Sequence, residues 1–566
     1  MNRIIKLKIL LLALVITSNC FSQITVLESL KLKEKTIAFF RQKEYENAQE
    51  FGSRYLKINP FDYETTFLMG QTAYHLKEWD KAIGYYYLCI ANGFKTAEAK
   101  YNIACCYALK NNKNEAVKWL QSAIEELPAF YYQWMEDSDL KSLTNDSIYF
   151  NEVHNYDRNV TNRKSQWKAD IDFFSDRMKQ FHFNLFWKIT EKQWDENVNE
   201  LKSDVDHLDD PSIIVRLMKM AALVGDGHTV LIPPISGKFQ FRMSPYLSYI
   251  FDEEFYVVET HKDYQQILGS KIVAINDVPI NEVLKRLKTI IPADNEMGIK
   301  WLAPLAISIP EILYGLDIIE DIDGFSLTYI KNRETITIKM KNMEKLTGDF
   351  LESWLYGFHD IKDWVKLKQS KIPTSQLKAQ EPYWFEYLSK EELVVFHYNQ
   401  TKTNEKESEH QFIDRLNQFI QVNDVEALVI NLRYNEGGDN TIYRPILNGI
   451  ISNKKINKQG KLFVIIGRRT FSAGMCFAVE MEKSTNAIFV GEPTGSSPNF
   501  VGESGGVFYL PYSKLFVNAS NLYWQNSYAF DKRKYITPEI YIPTRFDNFK
   551  DGIDAPLEAI KQILNK

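Results

Sequence analysis

The chain has 566 residues, of which 45% are hydrophobic, 14% aromatic and 25% charged, and its formal net charge is −5. This length is too great for a single hydrophobic core and predicts three or four domains of ordinary globular composition. The slightly acidic balance, with no basic stripe, gives no electrostatic reason to expect a nucleic-acid partner.

Residues 1–22 have the pattern of an export signal. Basic residues precede a short apolar run over 9–16, and small residues stand at the positions typical of cleavage after Ser22. The run is too short to cross a bilayer of about 30 Å as a helix. We therefore expect an exported chain, periplasmic or extracellular. Lipid attachment at Cys20 is the less favoured alternative, because Asn19 replaces the usual small residue before such a cysteine.

The cysteines beyond the signal do not form a disulfide scaffold. None of them makes a CxxC pair of the kind that binds metal or exchanges electrons. A bridge from the first of them to either of the next two stays open for an oxidising compartment, but buried free thiols are the favoured interpretation. The four are Cys89, Cys105, Cys106 and Cys476.

A repeat of 34 residues occupies the region after the signal. The related strings EYENA, EWDKA and NKNEA place alanines at equal spacing, at Ala48, Ala82 and Ala116. Gly70 and Ala104 keep the same offset. A period of 34 with small residues where paired helices touch is the tetratricopeptide signature, and it predicts an α-helical array over 26–135. Such arrays bind a protein partner or pack against their own neighbouring domain, and the sequence leaves both open.

The middle of the chain changes from helical to strand-like patterning. Residues 165–230 read as a helical region that ends at the turn-rich string GDGHT, residues 225–229. Residues 231–345 read mostly as strands, and within them 268–287 resembles the strand–turn–strand and helix of a PDZ-like domain. The charged segment 346–380 is interpreted as a connector.

The last region, 381–566, alternates strands and helices. Apolar β-branched runs predict strands buried on both faces over 426–432, 461–467 and 487–491. Helices are predicted between them, over 441–451 and 472–482. Strands separated by helices imply right-handed crossovers and a mainly parallel sheet.

Three strings at the ends of these strands carry candidate chemistry. NLRYNEGG ends a strand in a glycine pair, whose backbone N–H groups can turn towards a pocket. TFSAG places Ser472 at a helix start, beside the positive end of the helix dipole. GEPTG follows the next strand and could wall the site. Taken singly, a glycine pair is usually a loop and a serine at a helix start is usually an N-cap. Their occurrence in order, at successive strand ends, favours a catalytic site.

These strings resemble the three core motifs of the tail-specific (C-terminal-processing) proteases, a family that includes the tricorn core. The resemblance covers roughly residues 165–345 and 381–545. It implies a multidomain α/β protein, with a ClpP/crotonase-like core, a PDZ-like domain and serine peptidase activity. On that resemblance Ser472 matches the nucleophile, and Gly438 and Ala473 match the amides of the oxyanion hole. The string around the serine is not GxSxG, which disfavours an α/β-hydrolase elbow.

The general base is expected to be a histidine. A serine needs a base, and many members of the family use a lysine that follows the serine, but that place here holds Ser497. Lys483 lies 11 residues after Ser472, or about 16 Å along a helix, and cannot easily reach it. The tricorn-like branch uses an earlier histidine, and GDGHT places His228 at the matching position. Gly227 stands where tricorn has an orienting serine.

Two acids are candidates to orient this imidazole. Asp531, in AFDKRKYITPEI, lies near the corresponding late segment, although a solvated surface role is an equal reading. Asp226 is the weaker candidate. The sequence does not decide between these two carboxylates.

The resulting hypothesis is an exported peptidase that hydrolyses peptide or protein substrates through an acyl-enzyme. One alternative is an inert binding protein that captures peptides through its repeats and PDZ-like domain, given the missing lysine and the glycine at 227. Another is acyl-CoA chemistry on the related crotonase fold, which an exported chain with a candidate serine nucleophile disfavours. No HExxH, P-loop or GxGxxG string occurs, so no metal or cofactor is expected.

Overall fold

A computed structural model describes residues 27–154, 160–341, 343–348, 350–351, 362–503 and 505–565. The chain forms two compact units, Met1–Val160 and Thr161–Lys566. The predicted export signal and its alternative lipid site lie outside the described residues. Within the part of the chain that is described, no helix combines the length and the apolar character needed to cross a membrane.

The first unit consists of consecutive helices that pack against their neighbours in the chain. The helices that begin at Tyr45, Trp79 and Lys113 start 34 residues apart, as the repeat predicts. Gly70 lies at a helix contact where only a small residue fits, because a Cβ there would come within 2.7 Å of the Tyr86 ring. The helices span 27–41, Tyr45–Ile58, Tyr63–His75, Trp79–Ala91, Thr96–Leu109, Lys113–Glu126, Phe130–Glu136, Lys141–Thr144 and Ser147–His154.

The four cysteines of the described chain are buried and unpaired, so the interpretation as free thiols is confirmed. Cys89, Cys105 and Cys106 lie in the first unit, and Cys476 lies in the second. No disulfide links Cys89 to either of its two candidate partners.

The second unit begins with three helices, Arg163–Phe181, Glu191–Asp204 and Asp210–Leu223. Each starts at a polar cap, and Thr190 forms a reciprocal capping box with Gln193. The last helix ends just before the GDGHT turn, and strand β1 (Val230–Leu231) begins directly after that turn.

An antiparallel region follows, with strands β2 to β10. The pattern predicted for 268–287 is present as β5 (Lys271–Ile275), a turn, β6 (Val278–Pro279) and the helix Ile280–Leu287. Residues of the predicted connector form β10 (Trp364–Lys366), which pairs with β4 (Glu254–His261) and so belongs to the same sheet. The strands are Arg242–Met243, Tyr246–Phe251, Glu254–His261, Lys271–Ile275, Val278–Pro279, Phe325–Lys331, Glu334–Met340, Glu344–Lys345 and Trp364–Lys366. The other helices of this region and the connector are Glu296–Ala306, Pro310–Gly315 and Thr374–Leu377.

A six-stranded sheet forms the core of the last region, in the order β11-β12-β13-β14-β15-β20. Only β11 is antiparallel to its neighbour, and β12, β13 and β14 are buried along their whole length. The mainly parallel sheet and the mixed α/β class are therefore confirmed. The strands are Tyr383–Leu388, Leu393–Tyr398, Ala427–Asn431, Leu462–Ile466, Ile488–Gly491 and Ile540–Tyr541. The helices are Glu409–Val422, Arg444–Ser452, Ser472–Ser484, Phe546–Asp551 and Ala555–Leu564.

Four short strands between β15 and β20 tie the GDGHT turn to this core. Strand β16 (Asn499–Gly502) pairs with β19 (Leu522–Gln525), and β17 (Gly506–Tyr509) pairs with β18 (Phe516–Ala519). Strand β1 adds to β18, with Val230 opposite Asn518. The GDGHT turn (225–229, the histidine turn) is thus brought to the core that carries the helix Ser472–Ser484, although the two are far apart in sequence.

Candidate active site

Ser472 is the first residue of its helix, which follows strand β14 after a short loop. Its φ of +49° lies in the left-handed region, which a residue with a Cβ occupies only where its surroundings hold it. The residue before it is fixed, because the Phe471 N–H donates to the carbonyl oxygen of Asn435 at 3.0 Å. Ser472 is half-buried, and its hydroxyl makes no hydrogen bond to any described residue. The hydroxyl is therefore available to a substrate.

The glycine pair lies directly against this serine. Gly437 and Gly438 have φ of +115° and +130°, values that strongly favour glycine. A Cβ on Gly437 would lie 2.6 Å from the Ser472 Cβ, 3.1 Å from its Oγ and 2.9 Å from the Ala473 nitrogen. Gly438 forms a parallel bridge with Thr401 in which the residues on either side of it make the hydrogen bonds, so its own N–H points away from Thr401.

Asn435 organises both segments and was not singled out from the sequence. Its Oδ1 accepts from the Gly437 N–H at 3.0 Å and from the Thr401 hydroxyl at 3.3 Å, and its Nδ2 donates to the Tyr398 carbonyl at 3.0 Å. Its own carbonyl accepts from Phe471. One fully buried residue therefore fixes the glycine turn through its side chain and the loop before the serine through its backbone carbonyl. The only signal in the sequence was its place between a buried strand and the glycine pair.

His228 lies beside the serine segment, between two aromatic rings. Its imidazole stacks on Phe471 at a centroid distance of 4.4 Å and on Phe500 at 5.2 Å. Both ring nitrogens are buried and have no hydrogen-bond partner among the described residues, Ser472 included. Burial lowers the pKa of His228 from its usual value, because the charged imidazolium loses its hydration in this sandwich. The neutral form is favoured, as a base requires.

Asp226 holds the backbone of the histidine turn and does not bind the His228 ring. Its Oδ1 accepts from the N–H groups of His228 and Thr229 at 2.9 and 2.6 Å and from the Ser520 hydroxyl at 3.1 Å. Its Oδ2 lies 2.9 Å from the Nε2 of His182, which is also buried. Asp226 is fully engaged in fixing the turn.

Asp531, the other candidate from the sequence, is bound elsewhere. It pairs with Arg533 at 2.7 Å and accepts from the Ser527 hydroxyl at 2.7 Å. The Arg533 guanidinium holds the pKa of this carboxyl well below its usual range. The structure does not bring Asp531 to the His228 nitrogens, because an arginine two residues along the chain binds its carboxylate.

Neither Lys483 nor Ser497, which stands where the resemblance would put a lysine, is hydrogen-bonded to Ser472. The Ser497 hydroxyl donates to the Lys534 carbonyl at 3.0 Å. Lys483 projects elsewhere and donates to the Asn526 carbonyl at 2.9 Å. Within the described chain, no lysine is bonded to the Ser472 hydroxyl.

A further carboxylate, Asp294, stands beside the histidine turn. Its Oδ1 accepts from the Gly227 N–H at 2.8 Å. Its Oδ2 accepts from the Ser496 hydroxyl at 2.6 Å and from the Ser497 N–H at 3.2 Å. Burial raises its pKa, and the charge of a protonated His228 opposes that rise. The sequence reasoning missed Asp294, because it lies in an ordinary loop string, PADNE, far from every motif.

Three side chains of the kinds that bind metal ions lie close together in the first unit. Cys105, Asp137 and Asp139 have ligand atoms within 4.8 Å of one another. The Asp137 carboxylate also accepts from the Tyr101 hydroxyl at 2.9 Å. The Cys105 thiol donates to Asp137 at 3.9 Å, and the Asp139 carboxylate accepts from the Tyr74 hydroxyl. All these groups belong to a different unit from Ser472 and His228.

No family model matches the chain, and no curated protein matches it. Solved structures do match. Mature CPAF is 12% identical over 71% of this chain and 98% of its own, with a TM-score of 0.49. The photosystem II D1 C-terminal processing protease is 12% identical over 72% and 98%, with a TM-score of 0.33. The tricorn protease is 11% identical over 72% and 37%, with a TM-score of 0.34.

At these identities and TM-scores the matches assign no activity to this chain.

Proposed function

We propose that this chain is a serine peptidase that cleaves peptide bonds through an acyl-enzyme on Ser472. The observation that carries the proposal is a serine held at a positive φ at a helix start, with its free hydroxyl against the Gly437 turn. Strained backbone of this kind is concentrated at functional sites, where the rest of the fold stabilises it. An N-cap serine needs no such conformation and would use its hydroxyl to bond the helix, which Ser472 does not do.

In the proposed reaction His228 takes the proton of the Ser472 hydroxyl as Oγ bonds to the substrate carbonyl carbon. The N–H groups of Gly438 and Ala473 stabilise the oxyanion that forms. The proton then passes to the leaving amine, and water releases the acyl group by the same steps. The hydroxyl and the imidazole nitrogens are not bonded to each other here. Such bonds commonly tighten only when substrate is bound.

The remaining assignments rest on the sequence. Residues 26–135 are proposed as a tetratricopeptide array, and the 34-residue spacing of its helix starts supports this. Residues 231–345 are proposed as a PDZ-like domain that receives a peptide. Residues 1–22 are proposed as an export signal, which places the enzyme outside the cytoplasm. The substrate is a peptide or protein, and the repeats supply a surface for a protein partner.

A fluorophosphonate probe tests the function directly, because it labels only an activated serine. The wild-type chain is expected to be labelled at one peptide, the one containing Ser472. Ser472→Ala is expected to abolish labelling and peptide cleavage, whereas Ser452→Ala, an exposed serine near a helix end, is expected to retain both. An inert binding protein or an acyl-CoA enzyme would give no labelled Ser472. Label at another residue would also refute the assignment.

A further inference from the structure

We infer that Asp294 is the positioning acid of this site: it holds the histidine turn through the Gly227 N–H, makes no hydrogen bond to the ring itself, and stabilises the His228 imidazolium by its charge while the proton is held there. The inference rests on the proposed function of Ser472 and His228. It assigns to Asp294 the role that the sequence gave to Asp531 or Asp226. An imidazolium enclosed between two phenylalanine rings is costly without a compensating charge.

The position of Asp294 is fixed by three donors from two different segments. One is the Gly227 N–H, next to the histidine in the chain, and the others are Ser496 and Ser497. The following residue, Asn295, caps the helix Glu296–Ala306 through the N–H of Met297 at 2.8 Å. The carboxylate is therefore held by a rigid loop beside the histidine turn, as a positioning group requires.

The other acids near the ring differ from Asp294 in their contacts or in their exposure. The charged groups that face His228 are Asp226, Asp294 and Glu503, and Lys188 in turn faces the two aspartates. Asp226 is occupied by the backbone of the turn and by His182. Glu503 is exposed, so water screens its charge. Asp294 is half-buried and fixed beside the histidine turn and, unlike Asp226, it also joins that turn to the segment after β15.

The same contacts lie where the resemblance would put a lysine. The segment that would present that lysine here presents a serine hydroxyl and a backbone N–H, and both bind Asp294. The segment thus binds the Asp294 carboxylate, and the proposed base, His228, lies on the histidine turn. Electrostatically, His228 and Asp294 each favour the charged form of the other.

The test measures the fluorophosphonate labelling rate of the full chain between pH 5 and 9. Asp294→Asn is expected to lower the maximal rate by about 10²-fold, the usual scale for losing one component of acid–base catalysis. It should also move the acid limb, the pH range over which the labelling rate rises, to lower pH. The reason is that the imidazolium loses the negative charge that raises the pKa of His228. Asp294→Glu should recover part of both effects. Asp414 is an exposed helical aspartate, and Asp414→Asn should have the maximal rate and the acid limb of the wild type.

Ser496→Ala keeps the inference testable if Asp294→Asn does not fold. It removes one donor to the carboxylate and is expected to lower the rate by a smaller factor, with a measurable shift of the limb. The inference is overturned if Asp294→Asn folds and keeps the wild-type rate and limb while His228→Ala loses labelling. A shifted limb in Asp531→Asn, but not in Asp294→Asn, would overturn it as well. Normal labelling of His228→Ala would instead refute the proposed base itself.

Discussion

Replacing Gly437 by alanine tests whether the glycine turn shapes the serine site. The backbone cost comes first, because φ is +115° at this position, outside the region that alanine adopts. Strain of this kind costs about 1–3 kcal/mol. The added Cβ would also lie 2.6 Å from the Ser472 Cβ, whereas carbon atoms in contact sit about 3.5–4.0 Å apart. Relieving that overlap needs a shift of roughly 1 Å, and overpacking of this kind costs about 1–3 kcal/mol.

Gly460→Ala is a control that carries a backbone cost without a steric contact. Gly460 also has a positive φ, +76°, but an added Cβ there meets nothing within 4 Å. Its expected cost is therefore the backbone term alone, about 1–2 kcal/mol. Urea unfolding of the two variants should show a larger loss of stability for Gly437→Ala. The difference between them combines the contact with the serine and the greater backbone strain at the Gly437 φ of +115°.

Catalysis should separate the variants further. A displacement of about 1 Å at a reacting group can cost about 10²-fold in rate, so Gly437→Ala should be labelled by a fluorophosphonate about 10² times more slowly than the wild type. Gly460→Ala should be labelled at the wild-type rate. Equal stability losses together with wild-type labelling of Gly437→Ala would refute the view that this glycine shapes the site.

Two further predictions follow from the arrangement of the site. Because attack needs neutral His228 and burial lowers its pKa, the labelling rate should rise with pH and reach half its maximum below about pH 6.5; a midpoint above pH 8 would contradict a histidine base. A chain beginning at Thr161 should fold and still hydrolyse a small activated ester, since every residue of the candidate site lies in the second unit. Loss of ester hydrolysis in a truncated chain with native circular dichroism would count against that independence.

The three strings around Ser472 could be placed together from the sequence, because their positions depend on local structure. Strands β13, β14 and β15 lie where the apolar runs predicted, and parallel pairing brings their carboxyl ends to one edge of the sheet. Each of the three strings follows one of these strands. A motif at a strand end needs only the identity of the strand and the direction of its neighbours to be placed.

The placement of Asp294 and of the histidine turn depends on contacts that no local pattern encodes. The Asp294–Ser496 bond joins residues 202 positions apart, and the pairing of Val230 with Asn518 spans most of the second unit. The assignment of Asp531 did have a contrary signal in the sequence. Arg533 follows it by two residues, and an arginine at that distance can bind the carboxylate.

Gly227 shows how the histidine turn and the serine segment fit together. The resemblance to tricorn made this glycine look like the loss of an orienting hydroxyl. A Cβ at this position would lie 2.8 Å from the Phe471 ring, which itself packs on His228 at 4.4 Å and on Trp301 at 5.7 Å. The absence of a side chain lets the ring before the serine stack on the imidazole, while the Gly227 N–H binds Asp294 at 2.8 Å. The aromatic packing therefore depends on the absence of a Cβ at Gly227, whereas the bond to Asp294 uses only the backbone N–H of this residue.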